Sequence, residues 1–348
     1  MLPSYRLLRE QLRAVIADKT EQGRETAHLE RELELLPDSY DTLARFARRL
    51  ADLPPRRDWR YVEPNALDEI WAECDPARPI GPIAPIDPAQ AAGRVEAAFL
   101  GRVCGCILGK PLEINPDLAT LRRALEAIGE WPLDDYVSER IAPHLPGLHP
   151  SWGETVRERI AYAAPDDDLN YTILGMLLLE EHGRDLTTAD VRDAWLRHLP
   201  IEMTFGPERR TLLRAGMNTL AGGSPDEVET WAALLNPDDE KCGALIRADV
   251  YGYACPGQPA LAAELAWRDA RLTHRRTGIY GAMFIAAAIA SALVAPETSD
   301  ADRLGVFETA LQFVPRRSRF YQIASDSLGK AASARDWLDG YERIHGRY

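Results

Sequence analysis

The sequence predicts an all-α protein. Apolar residues recur at three- and four-residue intervals along most of the chain, few stretches read as strands, and proline or glycine closes many of the periodic runs. The 348 residues are 46% hydrophobic, enough for a large core or for two domains of ordinary size. Acidic residues outnumber basic ones by 54 to 41, a net charge of -13, and such a field repels a phosphate backbone, so nucleic acid is excluded as a general partner. Five scattered cysteines form no disulfide framework, which points to a reducing, cytoplasmic setting. The N-terminus has charges throughout and no apolar run of signal-peptide type.

The elements follow in order. Leu7, Leu8, Leu12, Val15 and Ile16 mark a first amphipathic helix, Leu29, Leu33 and Leu36 a second, and Leu43, Phe46 and Leu50 a third that Pro54 and Pro55 stop. Pro76 to Pro88 reads as an extended, proline-rich strap, so residues 1–88 form a helical extension and residues 89–348 the main domain. There, Val95, Phe99, Val103 and Ile107 form a stripe at four-residue spacing, ended by Gly109 and Pro111. A helix over Leu118–Ile128 follows, then a proline-broken loop over Trp131–Ser151 and a helix from about Asp168 to Leu179. Further helices are predicted at Thr188–His198, Pro207–Leu220, Glu227–Leu235, Ala260–Leu272, Ile279–Val294, Ala301–Gln312 and Tyr321–Leu328. These helices are too many and too irregular for a four-helix bundle. The uncharged run Thr277–Pro296 is alanine-rich and carries Gly278, Gly281 and Ser291, so it reads as a buried core helix rather than a membrane span.

Four local features can carry chemistry. Asp166, Asp167 and Asp168 open a helix, and adjacent carboxylates repel one another unless they are solvated, cap the helix or bind a cation. Both a helix cap and a site for a hard divalent metal fit that pattern. Gly101, Gly105 and Gly109 share one helix face; they allow close helix packing, or they lie against a ligand with Glu113 just past the helix end. The run from Gly243 to Asp249 holds Arg247, either an internal ion-pair partner or part of a turn that receives phosphate oxygens. Thr273-His274 precedes Gly278-Ile279-Tyr280-Gly281, where a lone histidine is a cap or a hydrogen-bonded core group before it is a catalyst. Cys104 and Cys106 point to different sides of a helix and make a poor metal pair.

Taken in order, AAFLGRVCGCILGKPLE, PDDDLNYTILGMLLLE, NPDDEKCGALIRADVYGYACPGQPALAAELAWRDARLTH and GIYGAMFIAAAIASAL resemble successive blocks of the ADP-ribosylglycohydrolase family, which includes the enzyme that reactivates dinitrogenase reductase. The resemblance runs from about Ala92 to the C-terminus. It implies a compact all-α domain around a two-metal site, with Mg²⁺ or Mn²⁺ as the ion, and hydrolysis of a glycosidic bond at the ribose C1. It further implies that Asp166, Asp167 and Asp168 are metal ligands, that Glu113 and Asp167 are catalytic, and that Gly105, Gly243, Arg247, His274 and Tyr280 shape the substrate cleft. Leu169 stands where the family has a threonine after the aspartates. The family's second ligand group, an Asp-x-Asp motif near its C-terminus, has no counterpart before the chain ends at YERIHGRY. The expected substrate is an ADP-ribosyl group on a protein or small molecule. The alternatives are a small-nucleoside glycosidase of the same fold and a degenerate homologue that binds ADP-ribose or a partner protein.

Overall fold

The computed structural model of the protein describes residues 3–220, 234–296 and 299–347. Helices make up its regular structure, and among the described residues there is no strand, only an isolated bridge between Arg24 and Pro55. The expected helix over Glu227–Leu235 lies almost wholly outside the described residues. The chain forms two compact units, one of Met1–Ile86 with Thr172–Tyr348, the other of Asp87–Tyr171.

In the first unit, helices Tyr5–Glu21, Leu29–Leu35 and Tyr40–Ala51 bring their apolar stripes together. Leu8, Leu12, Ile16, Leu33, Leu43, Phe46 and Leu50 are buried in one cluster that also receives Leu234 and Leu235, while Leu7 stays exposed. Side-chain caps from Ser4 and Ser39 start the first and third of these helices. A short helix, Leu67–Glu73, was not foreseen; only Ile70 of it is buried, so its apolar signal is too thin to register as a period. The segment around it is tied to the helical body: Trp267 Nε1 donates to the Asn65 carbonyl at 2.9 Å, and Val62 N to the Arg317 carbonyl at 3.1 Å. Glu63 accepts from the Arg319 guanidinium at 2.8 Å. Within the strap, Ile83 N donates to the Gly257 carbonyl at 2.9 Å.

Helix Thr277–Ala292 is the hub of this unit, packed on Pro259–Ala270, Asp249–Tyr253, Asp300–Leu311 and the 3₁₀ segment Cys242–Arg247. Twelve of its residues are buried, which accounts for the uncharged run as a core helix. No helix among the described residues is long and apolar enough to cross a membrane. Helices Arg319–Ala332 and Trp337–His345 close the chain, the second also unforeseen.

The second unit begins with helix Pro88–Gly109, which Asp87 caps and Pro88 starts. Its small core gathers Ala124 and Leu125 from helix Leu118–Ile128 with Val137 and Ile141. The two last come from the proline-broken segment, which folds in part as the 3₁₀ turn Glu139–His144. Helix Asp167–His182 starts in this unit and supplies the aspartates from its first turn.

Candidate active site

The site is built on the Pro88 helix. Arg102, Cys106 and Lys110 follow one another at four-residue spacing, so they share one face. That face meets the aspartates: Arg102 Nε donates to the Asp168 carbonyl at 3.1 Å, and the Lys110 ammonium pairs with the Asp166 carboxylate. Asp166 also accepts the Asp168 N–H through Oδ1 at 2.9 Å, the bond of a residue capping a helix that begins at Asp167. The capping interpretation therefore accounts for Asp166. It leaves Asp167 and Asp168 to be explained.

Their electrostatics differ from that of Asp166. Burial works against the charge of Asp166, yet the bonds from Lys110 and from the Asp168 N–H outweigh it and hold its carboxyl below the usual range. Burial, then the charges of Asp166 and Asp168, push Asp167 up to about 7, and Glu113 adds to the same effect. Asp168 is pushed up to about 6 by burial and by Asp166, although Arg102 pulls it down from 3.5 Å. Burial and both neighbouring carboxylates also push the Cys106 thiol up to about 12, so it stays a thiol.

One oxygen from each of the three aspartates lies within 4.8 Å of the others, the one such gathering of metal-type ligands among the described residues. The donor set is hard oxygen, and it carries repulsion that a cation relieves. These residues fit a divalent metal ion.

Glu113 follows the 3₁₀ turn Lys110–Leu112 and is 66% exposed. Its carboxylate lies 3.6 Å from Nε2 of His149. The Ser151 N–H donates to Nδ1 of that ring at 3.2 Å, and the Ser151 hydroxyl lies 2.7 Å from the same nitrogen. Ser151 is held in turn by Thr155, whose hydroxyl donates to the Ser151 carbonyl at 2.9 Å. Gly105 faces elsewhere on the Pro88 helix. With Cys104, Leu108, Leu133 and Tyr136 it lines a groove of about 370 Å³. A Cβ built at Gly101, Gly105 or Gly109 would meet nothing within 4 Å among the described residues, so close packing does not explain this face.

The other expected site residues lie in the first unit, where Arg247, His274 and Tyr280 are buried and Gly243 is half-buried. Arg247 is 2% exposed and lies 4.9 Å from the Trp195 ring. Its guanidinium donates to Asp269, to Glu208 at 2.7 Å, to the Gly243 carbonyl at 3.0 Å and to Thr273 at 2.7 Å. Gly243 is glycine for space: a Cβ there would come within 2.3 Å of the Glu208 carboxylate. His274 is wholly buried, with Nδ1 2.7 Å from the Thr273 hydroxyl. Burial, then the charges of Arg247 and Arg275, hold its pKa well below the ordinary value. Tyr280, also wholly buried, donates its hydroxyl to the Pro64 carbonyl at 2.5 Å. The structure thus brings Gly243, Arg247 and His274 together with Glu208 and Asp269, and covers Tyr280 with the N-terminal segment.

Sequence reading missed Arg102, Lys110 and His149. The first two carried a signal, since each sits one turn from Cys106, Arg102 before it and Lys110 after it, where the glycine-bearing helix ends. His149 carried none, because 36 positions, including a helix and a proline-broken segment, separate it from Glu113. The family model of the ADP-ribosylglycohydrolases matches residues 87–347, well over half of the chain. No curated protein and no solved structure matches it. With the aspartates, Glu113 and the matched blocks all inside that span, the chain belongs to the ADP-ribosylglycohydrolase family.

Proposed function

We propose that the protein is a metal-dependent glycosidase that hydrolyses the bond at a ribosyl C1 and removes ADP-ribose from a protein or small molecule. The observation that carries this reading is the crowding of Asp166, Asp167 and Asp168 beside Glu113, in which Asp167 has no cationic partner among the described residues. Asp167 and Asp168, with Asp166, would hold Mg²⁺ or Mn²⁺. Such an ion supplies positive charge for ribose hydroxyls and for a water molecule. Lys110 and Arg102 fix the ligand loop by holding the Asp166 carboxylate and the Asp168 carbonyl. Glu113 holds or deprotonates the water that adds to C1 as the bond to the leaving nitrogen or oxygen breaks. Carboxylates near C1 stabilise the oxocarbenium-like charge of that transition state. His149, held at Nδ1 by Ser151, is a positioning residue whose ring stands 3.6 Å from the Glu113 carboxylate. Gly105 belongs to a ligand-facing wall, while Gly243, Arg247, His274 and Tyr280 act by keeping the helical body rigid.

The test is release of ADP-ribose from ADP-ribosyl-arginine and ADP-ribosyl-serine peptides, compared with cleavage of free nucleosides, with and without Mg²⁺ or Mn²⁺. Metal-dependent ADP-ribose release supports the proposal. Preferential nucleoside cleavage would replace the substrate, and ADP-ribose binding without turnover would make the protein a reader of that group instead.

A further inference from the structure

We propose a second ligand site, in the unit that holds both chain ends, which takes a nucleoside diphosphate. It neither uses a residue of the aspartate site nor rests on the glycosidase reading. The site is a groove of about 500 Å³ between the Arg60-Tyr61 segment and the start of helix Arg319–Ala332. That volume suits a ligand of nucleotide size.

Three arginines line the groove, Arg60, Arg316 and Arg317, in a chain whose net charge is -13. Among the described residues, one carboxylate, Glu73, serves two of the three and none serves Arg60. Arg317 is neutralised by Glu73, with contacts of 2.6 and 2.8 Å. Arg60 bonds only neutral acceptors, the Tyr61 hydroxyl at 3.0 Å and Gln322 Oε1 at 2.9 Å, and lies 5.0 Å from the Tyr61 ring. The Arg316 side chain makes no hydrogen bond with any described residue and only feels, at longer range, the Glu73 carboxylate that Arg317 already holds. The one acid lining the groove, Asp326, is paired with Lys330 at 2.7 Å. Two guanidinium groups facing one groove concentrate anions there, and their planar donor forks match phosphate oxygens.

The anion has two parts and a ring. Three guanidiniums against the single carboxylate of Glu73 leave an excess of two positive charges, which suits two phosphate groups better than one. Tyr321, half-buried in the same wall, has no ring partner and no hydroxyl bond among the described residues. Such a face is suited to stacking a base. The start of the neighbouring helix adds little, because Ser318 already accepts the Tyr321 N–H at 3.0 Å.

The experiment is calorimetric titration of the full chain with ADP in EDTA, with inorganic pyrophosphate and adenosine as comparison probes. ADP should bind saturably, and more tightly than either part. The double variant Arg60→Gln/Arg316→Gln should weaken binding by about tenfold or more, and Tyr321→Ala by about tenfold. Asp167→Asn should leave it unchanged. Arg316→Gln alone, whose parent side chain makes no hydrogen bond with a described residue, keeps the test open if the double variant folds poorly. Absence of saturable ADP binding, or binding that the arginine variants do not move, would overturn the proposal. Loss of binding in Asp167→Asn would do the same by placing ADP on the aspartates. Pyrophosphate binding as tightly as ADP would overturn the role given to the ring.

Discussion

The aspartate cluster at the start of the Asp167 helix and the buried cluster around Arg247 are made from the same kinds of side chain, but they balance charge differently. Around Arg247, one guanidinium spends its donors on Asp269, Glu208, the Gly243 carbonyl and Thr273, and Tyr251 donates to the second Asp269 oxygen at 2.7 Å. Burial pushes Glu208 up, and Arg247 pulls it back. Nothing in that cluster calls for an added ion. At the aspartates, Lys110 answers Asp166 and Arg102 reaches Asp168 from 3.5 Å, while Asp167 has no cationic partner among the described residues. A balanced buried cluster holds a fold together; an unbalanced, half-buried one has affinity left for a cation.

The largest effect that tests this contrast is structural. Arg247→Leu strands Glu208 and Asp269 in the core and should cost about 3–5 kcal/mol of stability in urea denaturation. A loss below about 1 kcal/mol would mean that the Arg247 cluster is not the structural partner in the comparison.

Next is chemistry. Glu113→Gln keeps the shape and removes the basic site, so turnover should fall roughly 10²-fold with ligand affinity retained. Unchanged turnover would leave Glu113 as a residue of the helix end only.

A smaller effect reads the buried cluster by pH. His274 is neutral when folded, because its pKa lies well below 6.5, whereas the unfolded chain takes up that proton near 6.5. The unfolded state therefore binds more protons below that value, and the folded state loses stability as pH falls. Relative to His274→Gln, the wild type should lose about 1.4 kcal/mol per pH unit below about 6.5. Parallel stability curves for the two proteins from pH 7.5 to 5.5 would contradict a neutral, buried His274.

The smallest effect reads the open cluster. Asp167→Asn removes a charge that its neighbours oppose, and should raise the melting temperature of the metal-free protein by about 2 °C. It should also abolish the upward shift that Mg²⁺ gives the wild type. A variant that still responds to Mg²⁺ would return the aspartates to a capping role.

Much of this was legible beforehand, for identifiable reasons. The stripes of Leu8–Ile16 and Leu43–Leu50 and the uncharged run at Thr277 write their helices in period and length. The aspartate triplet is adjacent in sequence, so its repulsion is visible without a fold. Helix Leu67–Glu73 was hidden because it buries a single residue. Arg247 and His274 looked like cleft residues because arginine and histidine have chemistry to offer, and their identity alone does not reveal that every contact lies inward.

By itself, then, the sequence determined the helical class, most helix positions, the family and the clustering of Asp166, Asp167 and Asp168, because periodicity and adjacency are properties of neighbouring residues. Only the tertiary structure decided which charges are answered. Lys110 reaches Asp166 across 56 positions, His149 reaches Glu113 across 36, and Arg60 and Arg316 meet in one groove across 256. Coulombic and hydrogen-bond energies depend on distance in space, and chain separation carries no record of it.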